Sequence, residues 1–285
     1  MQLKKSTGEY QPFDRDKFHR SLLKSGASEK FVWNLSKQAE KLEAKLKSTE
    51  HLFDYAHREL SREDKGSAMR YSLKKALFEF GPTGYPFEQY VARILKKLGY
   101  EVQTNVFVRG FCVSHEVDIL AHKDNLTHLF ECKFHQFKGN RTNVKTVLYV
   151  KARFNDIAEA LKEKTDPRRL APTEKMHQAW LVTNTKHTTE AEKYAACAGI
   201  KIISWGHPEG GGLEQLIAKT KLYPITVLLT LSAPLKRKLF GLNVVTVEDV
   251  VSFRDWDKFT KSERNQFGQL EREAELLLKY NDKRV

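Results

Sequence analysis

The sequence predicts a mixed α/β protein, with a sheet-bearing middle between two mainly helical segments. Three observations carry this. Apolar residues recur at near-helical spacing from Phe13 to Phe80. They alternate along Val102–Val108 and again along Val117–Ala121. After Leu129–Phe134 the pattern runs helix, strand, helix, strand as far as Ser204. Strand, helix, strand in that order signals a βαβ crossover and hence a mixed sheet. The chain reads as three regions, residues 1–80, 81–225 and 226–285, without an internal repeat or low-complexity tract.

Residues 1–80 read as a short strand or hairpin followed by helices. Residues 6–9, Ser-Thr-Gly-Glu, are a turn signal, and Asp14 is placed to cap a helix carrying Phe18, Leu22 and Leu23. Phe31, Leu35, Leu42 and Leu46 predict a second helix. Leu52, Tyr55, Ala56 and Leu60 predict a third, and residues 68–80 a fourth. Gly81-Pro-Thr-Gly-Tyr-Pro86 then breaks the pattern and marks a boundary. A helix follows with Phe87, Val91, Ile94, Leu95 and Leu98 on one face, ended by Gly99. Three strands, a helix over 144–162, a strand over 179–183, a helix over 188–198 and a strand over 200–204 complete the middle. The last region is helical and dense in charge. It shows a helix, a turn at Gly241, a helix opening near Thr246 or Val247, and a final helix over 261–280.

Composition narrows the class. The 285 residues are 40% hydrophobic and 30% charged, as in folded soluble proteins. The longest apolar run, residues 225–231, is far too short to cross a bilayer, and the first residues lack the apolar stretch of a signal peptide. A cytoplasmic protein that meets no membrane is the expectation. Cys112, Cys132 and Cys197 form no C-x-x-C pair, which argues against a disulfide framework and a zinc ribbon. Net charge is +13, with a pI near 9.5. So basic a protein usually meets a polyanion, nucleic acid first. A solvated basic surface is the other reading.

The chemistry sits in Asp118, twelve intervening residues, then Glu131-Cys132-Lys133. Alternation along a strand puts Glu131 and Lys133 on one face and Cys132 on the other. A hairpin through Lys123-Asp-Asn125 brings Asp118 beside Glu131. Two adjacent carboxylates repel unless a cation lies between them, and hard oxygen donors in that arrangement suit magnesium, with manganese as a substitute. A neighbouring lysine can orient or deprotonate water, or offset charge on a phosphorane. Glu88 lies three, four and seven residues before Val91, Ala92 and Leu95, so it borders the apolar face of its helix and reads either as a further metal contact or as the holder of a metal-bound water. An exposed cross-strand ion pair would produce the same short pattern.

Phe87-Glu88-Gln-Tyr-Val-Ala, Leu98-Gly-Tyr-Glu-Val102, His115-Glu-Val-Asp118-Ile-Leu and Phe130-Glu131-Cys-Lys133-Phe-His135 together resemble the PD-(D/E)xK nuclease superfamily, nearest to its Mrr-type restriction endonuclease-like branch. Residues 179–184, 191–199 and 200–203 resemble the distal βαβ part of that core. The resemblance spans about residues 82–222. It implies a restriction-endonuclease-like core and magnesium-dependent hydrolysis of DNA. It also implies Glu88 as the helix acid, Asp118 and Glu131 as metal ligands, and Lys133 as the catalytic lysine. Val117 stands where a proline often precedes the aspartate. His115 and His135 flank the motif and read either as phosphate or proton-transfer groups or as hydrogen-bonded structural histidines. Lys151 and Arg153 read either as DNA-backbone contacts or as a solvated face.

Lys4-Lys5-Ser-Thr-Gly-Glu-Tyr-Gln-Pro-Phe13-Asp14-Arg-Asp-Lys17 resembles the opening of an ATP-cone, and residues 69–76 resemble its closing helix. The resemblance implies an adenine-nucleotide sensor for ATP or dATP. Lys5 and Lys17 are of the type to neutralise triphosphate charge. Gln11 stands where many ATP-cones are acidic, so a docking or dimerising domain without nucleotide is the alternative. No P-loop is present, so nucleotide would regulate and not drive. Residues 232–250 faintly resemble a helix-hairpin-helix, with Lys236, Arg237 and Lys238 supplying charge; a plain helical interaction domain fits as well.

The leading expectation is a metal-dependent DNA endonuclease under nucleotide control, in defence or repair. The alternatives are a nucleic-acid-binding protein that does not cut and an ATP-controlled assembly factor. A homo-oligomer is compatible with each.

Overall fold

The computed structural model describes residues 2–5, 8–42, 45–161 and 175–282. It divides into two compact units. One comprises residues 1–77 with 223–285, the other Phe78–Leu222. The two helical regions expected to be separate therefore belong to one unit, and the sheet-bearing middle is inserted between its halves.

The first unit opens with a hairpin of β1 (Gln2–Lys4) and β2 (Tyr10–Pro12), paired antiparallel. Four helices follow: α1 (Arg15–Lys24), α2 (Glu29–Lys41), α3 (Thr49–Glu63) and α4 (Lys65–Tyr71). Asp14, Ser28 and Ser48 each accept a backbone N–H of the first turn, the ordinary role of such residues before a helix. Phe18, Leu22, Val32, Leu35, Ala56 and Leu60 form the core between them. The single helix expected over 68–80 is divided into α4, α5 (Leu73–Ala76) and a short 3₁₀ turn, and α2 ends before Leu46. The returning half supplies α10 (Ala233–Gly241), α11 (Val247–Ser252) and α12 (Lys261–Asp282). Gly241 is the last residue of α10, and the left-handed turn falls at Asn243, with φ 57°.

The helix-hairpin-helix expectation meets a physical obstacle here. The N–H groups of Val245 and Thr246 both donate to the Asp249 carboxylate, which closes a capping box with Thr246. The amides that such a hairpin would offer to phosphate are occupied by an acid. Lys238 likewise donates to Glu263 at 2.8 Å.

The second unit is a five-stranded mixed sheet in the order β3-β4-β5-β7-β9, with helices against it. After α6 (Tyr85–Lys97), Gly99 adopts φ +87° and turns the chain into β3 (Glu101–Arg109), β4 (Ser114–Lys123) and β5 (Leu126–Lys133). Asp124 and Asn125 both have positive φ, which makes the two-residue turn that matches strand twist. The turn fixes the register Lys123↔Leu126 through Ile119↔Phe130. β6 (Arg141–Thr142) precedes α7 (Val144–Ala160). The chain then crosses to β7 (Lys175–Thr183), parallel to β5. β8 (Lys186–His187) pairs with β6, and α8 (Thr189–Ala198) leads to β9 (Lys201–Ile203), parallel to β7. α9 (Leu213–Thr220) closes the unit. The expected helix over 144–162 ends at Ala160; Lys162 lies outside the described residues. No helix among the described residues is long and apolar enough to cross a membrane.

Phe130 anchors this unit. It is fully buried and stacks on Trp180 of the neighbouring strand, with ring centroids 5.5 Å apart. Phe130→Ala should therefore cost about 3–5 kcal/mol, measured as a lowered midpoint in urea.

Candidate active site

Asp118 precedes Ile119, whose partner across the ladder is Phe130, so Asp118 stands beside Glu131. The N–H of Cys132 donates to Asp118 Oδ2 at 2.7 Å and fixes that carboxylate between the strands. Cys132 is buried, and its thiol is pushed well above the usual range by burial and then by Asp118, Glu88 and Glu131. It is a packing residue. Lys133, two residues beyond Glu131, is exposed. Its backbone carbonyl accepts from Thr183 Oγ1 at 2.7 Å. Asn184 clamps the next turn, accepting from His135 N–H at 2.9 Å and donating to its carbonyl at 2.8 Å.

Glu88 lies in the first turn of α6 and is half-buried. Its carboxyl is pushed up to about 7, first by burial, then by Asp118, Glu131 and Glu116. Glu131 is pushed up to about 7 by burial and by Asp118. Asp118 is raised as well, mainly by burial, with the Cys132 N–H and Arg153 opposing the rise. The sheet and α6 thus bring Glu88, Asp118 and Glu131 within electrostatic reach of each other, with Glu116 as a fourth carboxylate that sequence reasoning missed.

Arg153 departs most from expectation. It is only 7% exposed. Its guanidinium pairs with Glu131 and with the Tyr149 hydroxyl, and it lies over the Tyr149 ring. A buried side chain committed to a half-buried carboxylate does not face the backbone of DNA. The pair opposes the rise that burial and Asp118 impose on the Glu131 carboxyl. The spacing carried a signal: Val150, Arg153 and Ile157 lie three and four residues apart on the buried face of α7. His115 is engaged too, with Nε2 2.7 Å from Asp156 Oδ2. His135 Nε2 lies 2.9 Å from Thr142 Oγ1, and burial with Lys133 nearby lowers its pKa. Both histidines take structural partners. Lys151 is half-buried, with Nζ 5.6 Å from the Phe154 ring. Lys5 pairs with Glu9 at 3.2 Å, while Lys17 is exposed in the first turn of α1.

Among the described residues, no group of three or more His, Cys, Asp or Glu side chains is arranged to hold a metal ion. Glu131 turns to Arg153 and Asp118 to the Cys132 N–H. Asp118 and Glu131 still fit a small hard cation. They are adjacent oxygen donors, crowded enough with Glu88 to resist ionisation, and magnesium requires only one or two protein carboxylates.

Residues 82–207 match the restriction endonuclease family, so the second unit contains a nuclease-type domain. The chain belongs to the same family as an uncharacterized protein of Archaeoglobus fulgidus. The two are 38% identical over 162 residues, which cover 57% of this chain and 84% of the relative. A crystal structure of a protein of unknown function is similar as well, with 33% identity and a TM-score of 0.56. It covers 68% of this chain and 99% of its own. The MspJI restriction endonuclease, solved with a 27-mer oligonucleotide, matches at 17% identity and a TM-score of 0.31, over 54% of this chain and 36% of its own.

The crowded carboxylates set a pH dependence. A carboxyl whose folded pKa rises from 4.5 to about 7 contributes stability below its unfolded value and loses it as pH rises through about 7. In metal-free buffer the melting temperature should fall between pH 5 and 8. Glu88→Gln should flatten that slope, read by differential scanning calorimetry.

Proposed function

We propose that this chain is a divalent-cation-dependent DNA endonuclease. The observation that carries the reading is the placement of Asp118 beside Glu131, with Lys133 two residues along the same strand, inside the segment that matches restriction endonucleases. Asp118 and Glu131 would hold magnesium, or manganese in its place, with Glu88 as an accessory acid. The cation would polarise the scissile phosphate and make water a stronger nucleophile. Lys133 projects an ammonium group from the exposed end of β5, where it orients water and offsets charge on the phosphorane. Glu88, raised by burial and by the neighbouring carboxylates, would serve as the helix acid beside them. The net charge of +13 favours a polyanionic substrate. Restriction of foreign DNA and repair are both compatible with this chemistry.

The first unit is proposed as the regulatory part. Its hairpin followed by a helix capped by Asp14 supports the likeness of residues 1–80 to an ATP-cone. Lys17, and Lys5 once released from Glu9, would meet the phosphates of ATP or dATP.

Lys133→Ala should lower cleavage of plasmid DNA in magnesium by about 10²–10⁴-fold while leaving DNA binding intact. Magnesium-dependent cutting retained by that variant would sink the assignment. In isothermal titration calorimetry, ATP should bind the wild-type chain and bind Lys17→Ala more weakly. No heat from the wild type would remove nucleotide from the reading.

A further inference from the structure

The β3–β4 hairpin exposes large apolar side chains beside the carboxylates. Phe107 is 76% exposed and stands opposite Glu116 in the ladder. Opposed residues of an antiparallel pair share a face, and Asp118 lies two residues beyond Glu116 on the same strand. At the tip, Phe111 and Val113 are 50% and 54% exposed. Isolated exposed apolar residues need no explanation, but a contiguous group on one rigid element marks an interaction site.

The tip is rigid because α7 holds it. The Asp156 carboxylate accepts from Cys112 N–H at 2.8 Å, from Val113 N–H at 3.4 Å and from His115 Nε2. The Asp156 carbonyl accepts from Phe111 N–H at 2.9 Å. Even Gly110 belongs to the latch: a Cβ there would stand 2.0 Å from Asp156 Oδ2 and 2.6 Å from the Val113 carbonyl. These contacts hold the Asp156 carboxyl well below the usual range, the Cys112 N–H contributing most. The latch satisfies the polar groups of the tip and leaves the aromatic rings outside, presenting them in fixed positions.

Charge indicates the occupant. Arg109 is exposed between Phe107 and Phe111. Aromatic rings with a cation between them on a rigid support match the two faces of a single nucleic-acid strand, its bases and its phosphates.

We propose that the Phe107–Phe111 ridge is a stacking platform for unpaired bases, so that the strand to be cut reaches the carboxylates single-stranded or locally unpaired. The substrate class rests on the nuclease reading above; the binding does not require catalysis.

The test is fluorescence anisotropy in EDTA, with a labelled oligothymidylate of about twenty nucleotides and a duplex of equal length. Wild type should bind the single strand. Phe107→Ala and Phe111→Ala should each weaken that binding about tenfold and leave duplex binding unchanged. Phe107→Trp should preserve it. Equal losses on both probes, no loss on either, or no single-strand binding by wild type would overturn the proposal. So would a dimer in sedimentation that Phe107→Ala dissolves, since the ridge would then join two copies of this chain. Because EDTA prevents metal-dependent cutting, failure here leaves the Lys133→Ala result standing, and the reverse holds.

Discussion

The second unit is organised around a repulsion. The register of β4 against β5 sets Asp118 beside Glu131, and α6 brings Glu88 within electrostatic reach of both. Neighbouring carboxylates in a partly dry setting cannot all remain ionised without compensation. The fold supplies it locally through the Cys132 N–H at Asp118, Arg153 at Glu131 and Lys133 at the open end. Each compensating group is held by something further away, and this explains much of the surrounding polar structure. Thr183 and Asn184 restrain the backbone around Lys133, and Tyr149 braces Arg153.

Helix α7 is the common support. Arg153 reaches the sheet at Glu131, and Asp156, less than one turn later, reaches the tip of the β3–β4 hairpin. Two strands that contribute to the carboxylate cluster are thus held by one rigid rod. Val147, Val150 and Ile157 fix that rod by burial in the core. The apolar contacts of α7 set the position of the charged ones, because a packed helix cannot rotate without leaving voids.

Much of this was legible in the sequence. Alternation in 117–121, the Asp124-Asn125 turn and the Glu-x-Lys spacing gave the juxtaposition of Asp118, Glu131 and Lys133, because period two and a short turn fix register. The inward position of Glu88 followed from its helical spacing. Partners across sequence-distant elements were not legible. Nothing in residues 110–115 says that Asp156 will cap them, and Arg153 resembles a surface cation although it lies on the apolar stripe of α7. The third region meets the same limit. A basic helix, a turn and a second helix look alike whether the second helix offers its amides or, as with Asp249, covers them itself. Local pattern fixes elements, while charge pairing depends on which faces the tertiary fold brings together.

The interruption of the first unit by the second has a consequence for how the chain is made. Residues Phe78–Leu222 are contiguous and emerge from the ribosome as a complete folding unit. The first unit begins earlier but ends later. Met69 and Phe267 belong to it from opposite halves, and both are fully buried. Its apolar interior stays incomplete until the last helix is synthesised. The nuclease-type domain is therefore free to reach its folded form before the unit proposed to regulate it is finished.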